Sequence, residues 1–449
     1  MKASSTIEPE QMQLDRSIHM GGDQTNTRIN LAAKTGNRAL FANPMPVQRY
    51  HGSKRLDRSA KQWLCERKDI LLGECRFMDA GKDPIMTDES YFVEASIRHQ
   101  VGNYENSSFK INEKTIEKAK SVLSGMALMW DHSTQALDPF NGWLHADGEL
   151  QKEGHKVNLD KVDGALSGIR SHAPEYSFFV DMADHRARSL TTSENEAAPV
   201  FCFNRPNSKP DGKVLWPLAG YQDLSTNDFL GSSDIRDVPW SEKVAQVCWR
   251  GSAGGWAQLG KYGRGKMIRM HALLNKNGRG RISDEDTKRA LLTVDRHRFI
   301  ETCYGDPHFD VGYTQFGPHD FDSFPLIGGL KKERLSMVEQ TKFKYLAVLP
   351  GADIGSNFYW VLNSSSLGFV METDYDSFAS AHFKPWEHYV PIRADLRDLE
   401  KNFAWCENNP DACKAMVKNA NKVCALLGDE RLRNRVLQGV VEEVGRRLS

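Results

Sequence analysis

Two short runs of almost uninterrupted apolar character constrain this chain more than any other feature: YSFFVDM (Tyr176 to Met182) and FKYLAVLPG (Phe343 to Gly351). A strand with one wet face alternates apolar and polar residues. A strand without alternation must be covered on both faces, which is the situation of a parallel sheet flanked by helices. PVFCF (Pro199 to Phe203), VAQVCWRGS (Val244 to Ser252), LGFVME and HYVPI (His388 to Ile392) read as further strands. Helical spacing appears between and after them. Asn112 can cap a helix carrying Ile116, Ala119, Leu123 and Met126, and Val162, Leu166 and Ile169 mark another that Pro174 ends. FYWVLN opens a helix, and three more close the chain, through Leu399 and Phe403, Met416 and Ala420, and Val436 and Val440. This grammar predicts an α/β protein with two parallel-sheet halves. Ser232 to Trp240 is the expected hinge between them, and residues 1–50, polar and without period, the expected loose arm.

Composition narrows the classes of function. Lys+Arg and Asp+Glu both number 59, so the formal net charge is zero and nothing pulls the chain toward nucleic acid. No apolar run reaches about 18 residues, so a spanning helix is not expected and any membrane association would be peripheral. The N-terminus lacks an apolar signal segment. The eight cysteines include no C-x-x-C pair and sit in core-like patterns, which suits free thiols in a reducing cytoplasm.

In an open α/β sheet, ligands bind beyond the carboxyl ends of the strands. Three polar clusters fall at such ends: Asp184 after the first run, Gly251 and Ser252 after the Val244 strand, and the turn from Gly351 to Ser356 and Asn357. A glycine-bearing turn entering a helix can cradle phosphate on free N–H groups, although Gly and Ser are as often plain turn chemistry. The loop after Ser252 is rich in glycine and cations, and Arg264 in it can pair with a diphosphate or stand as a solvated loop residue. A rival cluster, Asp306, His308, Asp310, His319, Asp320 and Asp322, has the composition of a metal site for hydrolysis, and three D-x-D triplets occur.

These clusters, in this order, resemble the capsule-associated and lipopolysaccharide-modifying glycosyltransferases, the family ninety group that includes the protein O-glucosyltransferases. The resemblance rests on PWSEKVAQVCWRGS, PHFDVGYTQ, and Phe343 to Ile392 with its KPWEHY run, and extends from about Tyr176 to Leu427. It implies a GT-B fold with two Rossmann-like domains facing across a cleft, over 51–235 and 236–407, and C-terminal helices (408–449) packing back on the first. It further implies a metal-independent, inverting transfer of a sugar, glucose or xylose, from a UDP-sugar to a glycan or glycolipid acceptor, with no cofactor. The family's catalytic aspartate falls on Asp184, within a turn that departs from its pattern by reading Ala-Asp-His-Arg. Donor binding falls on Gly251, Ser252, Asp310, Gly351, Ser356 and Asn357, and on Arg264 if an insertion is allowed, with Arg250 and Arg269 as alternatives. A nucleotide-sugar-binding protein without turnover, and a metal-dependent hydrolase built on 306–322, are the alternative functions.

Overall fold

A computed structural model describes residues 89–448, apart from 103–107, 124–126, 140–159, 185–190, 194–195, 208–211, 223–225, 261–265, 318 and 352. The expected arm over 1–50 lies outside the described residues, as do Arg264, Cys65 and Cys75. Residues 79–449 form one compact unit by their contacts.

Helix α1 (Glu89–Val101) opens the described chain, and α2 (Glu113–Val122) follows. Asn112 caps α2 as expected, with a reciprocal box: its side chain accepts from the Thr115 N–H at 3.0 Å, and the Thr115 hydroxyl accepts from the Asn112 N–H at 2.8 Å. Strands β1 (Ala127–Asp131) and β2 (Ala136–Pro139) form a hairpin ahead of α3 (Asp160–Arg170). Then come β3 (Phe178–Asp181), β4 (Val200–Cys202), β5 (Asn204–Pro206) and β6 (Lys213–Leu215). The first sheet has the order β2-β1-β3-β4-β6. Its last three strands run parallel, but β1 is antiparallel to both neighbours, so this sheet is mixed where the sequence reading expected a parallel one.

The second half begins with β7 (Val244–Ser252), followed by α4 (Met270–Gly278), α5 (Asp284–Leu291) and α6 (Asp295–Cys303). Strand β8 (Phe309–Gln315), strand β9 (Phe343–Val348), helix α7 (Phe358–Asn363) and strand β10 (Leu367–Met371) lead to the short strands β11 (Tyr375–Ser377) and β12 (Val390–Ile392). The helices α8 (Leu399–Asn408), α9 (Pro410–Gly428) and α10 (Glu430–Arg447) end the chain. The second sheet, β8-β7-β9-β10-β12, is parallel throughout. Every residue of β3 and of β10 is buried, as an unalternating apolar run requires.

Two features join the halves. Strand β5 pairs antiparallel with β11, and the Asn204 amide donates to the Asp353 carboxylate at 2.7 Å. The last helices pack back on the first half: Val440 and Val444 of α10 share one apolar core with Phe178 and Phe201, and the Tyr176 hydroxyl donates to the Val441 carbonyl at 2.8 Å. The expected hinge is fastened rather than free. Ile235 is fully buried, and Arg236 donates to the Asn363 carbonyl at the end of α7 at 2.8 Å.

Helix α1 docks on the β11 region through two half-buried histidines. His99 shares a hydrogen bond with the Ser377 carbonyl at 2.8 Å, and His382 meets the Ser96 hydroxyl at 2.8 Å while stacking on Phe92. Burial pushes both down to about 4, helped at His99 by Arg205 and at His382 by His99, His388 and Lys384. The unfolded chain therefore binds more protons between pH 6.5 and 4, and stability is lost as pH falls through that window. The expected slope is up to about 1.4 kcal/mol per pH unit for each histidine. Urea unfolding between pH 7.5 and 4.5 measures it, and His382→Phe, which keeps the stacking but cannot titrate, should show a shallower slope.

Candidate active site at the switch point of the second sheet

In chain order the second sheet reads 2-1-3-4-5: β7 comes first, β8 is added on one side of it, and β9 to β12 on the other. The chain therefore leaves the carboxyl ends of the strands in opposite directions on either side of β7, and a gap opens where the order reverses. A cleft of about 320 Å³ lies there. Gly251 and Ser252 from the end of β7, Thr314 and Gln315 from the end of β8, and Ser356 and Asn357 after β9 line it. Four of the residues singled out in the sequence thus meet in one place, from segments a hundred residues apart.

Their local roles differ. Asn357 precedes α7, but its amide donates back to the Ala347 carbonyl at 2.9 Å, pinning the turn to the end of β9. Helix α7 has only six residues, so little dipole accumulates at its start, and the expected helix-end cradle contributes less charge than the side chains around it. Gly351 does not line the cleft; it lies against the guanidinium of Arg296, which does. Asp310 stands behind the cleft in an ionic lock. Its carboxylate accepts from Arg250 at 2.8 Å and from Lys332, and Arg250 also donates to the carbonyls of Asp310 and Glu333. Burial by itself would raise the Asp310 carboxyl, but the hydrogen bonds from Lys332 and Arg250 outweigh it and hold it below the usual range. Arg250 and Asp310 therefore hold the ends of β7 and β8 together. Arg269, the other alternative, lies with its guanidinium 5.2 Å from the Trp256 ring centre.

Sequence reading missed Arg296 and Arg334, both on the cleft wall. Arg296 sits in α6, a helix whose apolar spacing is broken by Asp, Arg and His, and Arg334 in an irregular segment, so no pattern marked either.

Asp184 lies three residues past β3 and is exposed, with Lys161 of α3 at 3.8 Å. The turn chemistry it was weighed against belongs instead to Asp181, which is fully buried and accepts the Ala183 N–H at 3.1 Å. The Lys161 ammonium is held beside Asp184 by the Tyr221 ring, 4.9 Å from its centre.

The residues of 306–322 do not act as one cluster. Asp306 accepts the His308 N–H, Asp310 is in its ionic lock, His319 stacks on His271, and Asp320 caps a helical turn. Among the described residues no three His, Cys, Asp or Glu side chains come together as a metal-binding group. Six cysteines are described, all buried and unpaired, and no described helix is long and apolar enough to cross a membrane.

A parallel sheet with polar loops and cations at its switch point defines an α/β protein with a candidate ligand cleft. Its family follows from the match to the glycosyl transferase family 90 model over residues 166–427. The chain belongs to that family. It is 28% identical over 128 residues to O-glucosyltransferase LpsA of Dichelobacter nodosus, covering 28% of this chain and 38% of that protein. It is 22% identical over 239 residues to protein O-glucosyltransferase 1 of Rattus norvegicus, covering 50% of this chain and 51% of that one. Uncharacterized protein 035R of invertebrate iridescent virus 3 is 27% identical over 186 residues, covering 40% of this chain and 15% of that one. The matched part thus spans about half or less of each relative's length.

The lock predicts a structural effect. Asp310→Ala leaves two cations facing each other at the strand ends and should lower stability by about 1–3 kcal/mol. Urea denaturation with and without 1 M salt checks this; salt should recover part of the loss by screening the repulsion.

Proposed function

We propose that this chain is an inverting glycosyltransferase that moves a sugar, glucose or xylose, from a UDP-sugar to a hydroxyl of a glycan or of a lipopolysaccharide- or capsule-type acceptor, working in the cytoplasm without a metal ion. One observation carries the reading: in a chain of this family, Gly251, Ser252, Ser356 and Asn357 converge on a cleft at the switch point, where α/β sheets hold phosphates. Arginine and hydroxyl donors, rather than an acidic triad, surround that cleft, which suits a diphosphate held without a divalent ion.

The reaction is one displacement at the anomeric carbon. Asp184 takes the proton of the acceptor hydroxyl as its oxygen forms the new bond to that carbon. The bond to the β-phosphate oxygen breaks, and its electron pair leaves on UDP, where the donors of the cleft stabilise it. An exposed carboxylate just past a strand end is suited to this role; Asp181, buried in its turn, is not.

Incubation with UDP-glucose, UDP-xylose and other UDP-sugars, in EDTA and with an acceptor saccharide, tests the reading by UDP release and product mass. Transfer that appears only with Mn²⁺ or Mg²⁺ would refute the metal-independent mechanism. Asp184→Asn should leave UDP affinity and folding nearly intact and lower transfer about 10²–10⁴-fold, the usual contribution of a general base. Transfer at the wild-type rate would remove Asp184 from the mechanism.

A further inference from the structure

Helix α3 carries Gly164 in its interior, although glycine weakens a helix there. Close approach is the reason. A Cβ on Gly164 would lie 2.4 Å from the Ala219 Cβ, so the bare helix surface lets the segment after β6 come down onto α3. That segment is a fixed turn. The Tyr221 and Gln222 N–H groups both donate to the Leu218 carbonyl, at 3.1 and 2.7 Å, and the Gln222 side chain accepts the Leu218 N–H at 2.8 Å. Gly220 supplies the positive φ of 76° at its tip.

The turn presents the Tyr221 ring, and 58% of that residue is exposed. Its place is nevertheless set. Lys161, three residues before Gly164 on the same side of α3, brings its ammonium to 4.9 Å from the ring centre. The same ammonium stands 3.8 Å from the Asp184 carboxylate and 5.9 Å from the centre of the Phe203 ring, with only 14% of the Lys161 side chain exposed. At 3.8 Å the two charges attract, but the gap is too long for a direct hydrogen bond, which suits a third group that bonds both.

An aromatic face, an ammonium and a carboxylate within one side chain's reach complement a pyranose. The apolar C–H face of such a sugar fits the ring, and two neighbouring hydroxyls fit the two charges. A serine side chain brings one hydroxyl and no flat apolar face, so it would use the carboxylate and leave Tyr221 and Lys161 idle.

We infer that Tyr221 and Lys161 form the acceptor seat beside Asp184, and that the acceptor is a pyranose saccharide. Its ring stacks on Tyr221, the reacting hydroxyl donates to Asp184, and the neighbouring hydroxyl accepts from Lys161. The inference rests on Asp184 as the base of the proposed transfer.

Saturation-transfer difference NMR of the full chain with the methyl glycosides of glucose, galactose and mannose reads the seat without turnover. At least one glycoside should bind the wild type through its ring C–H protons. Tyr221→Ala should weaken that binding about 3–10-fold, the range for one lost aromatic contact, whereas Tyr221→Phe should not change it. Lys161→Met should weaken it about 10–100-fold, as for one lost charge-assisted hydrogen bond. UDP affinity, measured by calorimetry, should stay at the wild-type value in all three variants. Absence of glycoside binding to the wild type overturns the inference, and so does undiminished binding to Tyr221→Ala. Transfer from UDP-glucose to a serine peptide, with none to the glycosides, also overturns it. Failure of the transferase reading looks different. Glycoside binding that is lost in Tyr221→Ala, with no UDP released from any UDP-sugar in the presence of the glycosides, keeps the saccharide seat and removes the transfer.

Discussion

Strand β7 is the element on which the second half depends. It is paired on both edges, to β8 through Val247–Ser252 and to β9 through Val244–Cys248, so its backbone groups are satisfied by two later strands that lie on its opposite sides. That arrangement buries the strand and also ends it in a gap, because the chains leaving its two neighbours cannot close over the same point. The register shift between Gly251 and Ser252 falls at this end. Fold and site are therefore one consequence of the same strand order.

The gap is kept open by charge and shape together. Behind it, Arg250, Asp310 and Lys332 spend their charges on one another and fix how far apart the strand ends stand. In front of it, glycines at 251 and 351 allow an indole and a guanidinium to enter where any Cβ would exclude them. Arg250 bonds the Asp310 carboxylate, whereas Arg296 bonds the Pro350 carbonyl and feels the charge of Asp353.

The two halves are joined by bonds that neither could make alone. The β5–β11 pairing, the Asn204–Asp353 hydrogen bond and the shared core of α10 with Phe178 and Phe201 fasten the first sheet to the loops around the cleft. Asp353 lies in the turn that carries Ser356 and Asn357, so the first half helps hold the turn that lines the cleft.

The sequence alone determined most of what repeats along the chain. Unalternating apolar runs mark β3 and β9 because burial on both faces leaves no polar period, and the Asn112 cap marks α2 because its bonds are local. It also located Gly251, Ser252, Ser356 and Asn357, since strand ends can be read from the strands. Helix α1 escaped because its buried face includes the polar residues Ser96 and Gln100, which break the apolar period, and the β1–β2 hairpin because its pairing is a relation between segments. The roles of Arg296, Arg250 and Asp310 were decided only by tertiary structure. Whether an arginine is neutralised depends on which carboxylate lies within about 3 Å of it, a matter of distance across the fold that no spacing in the chain encodes.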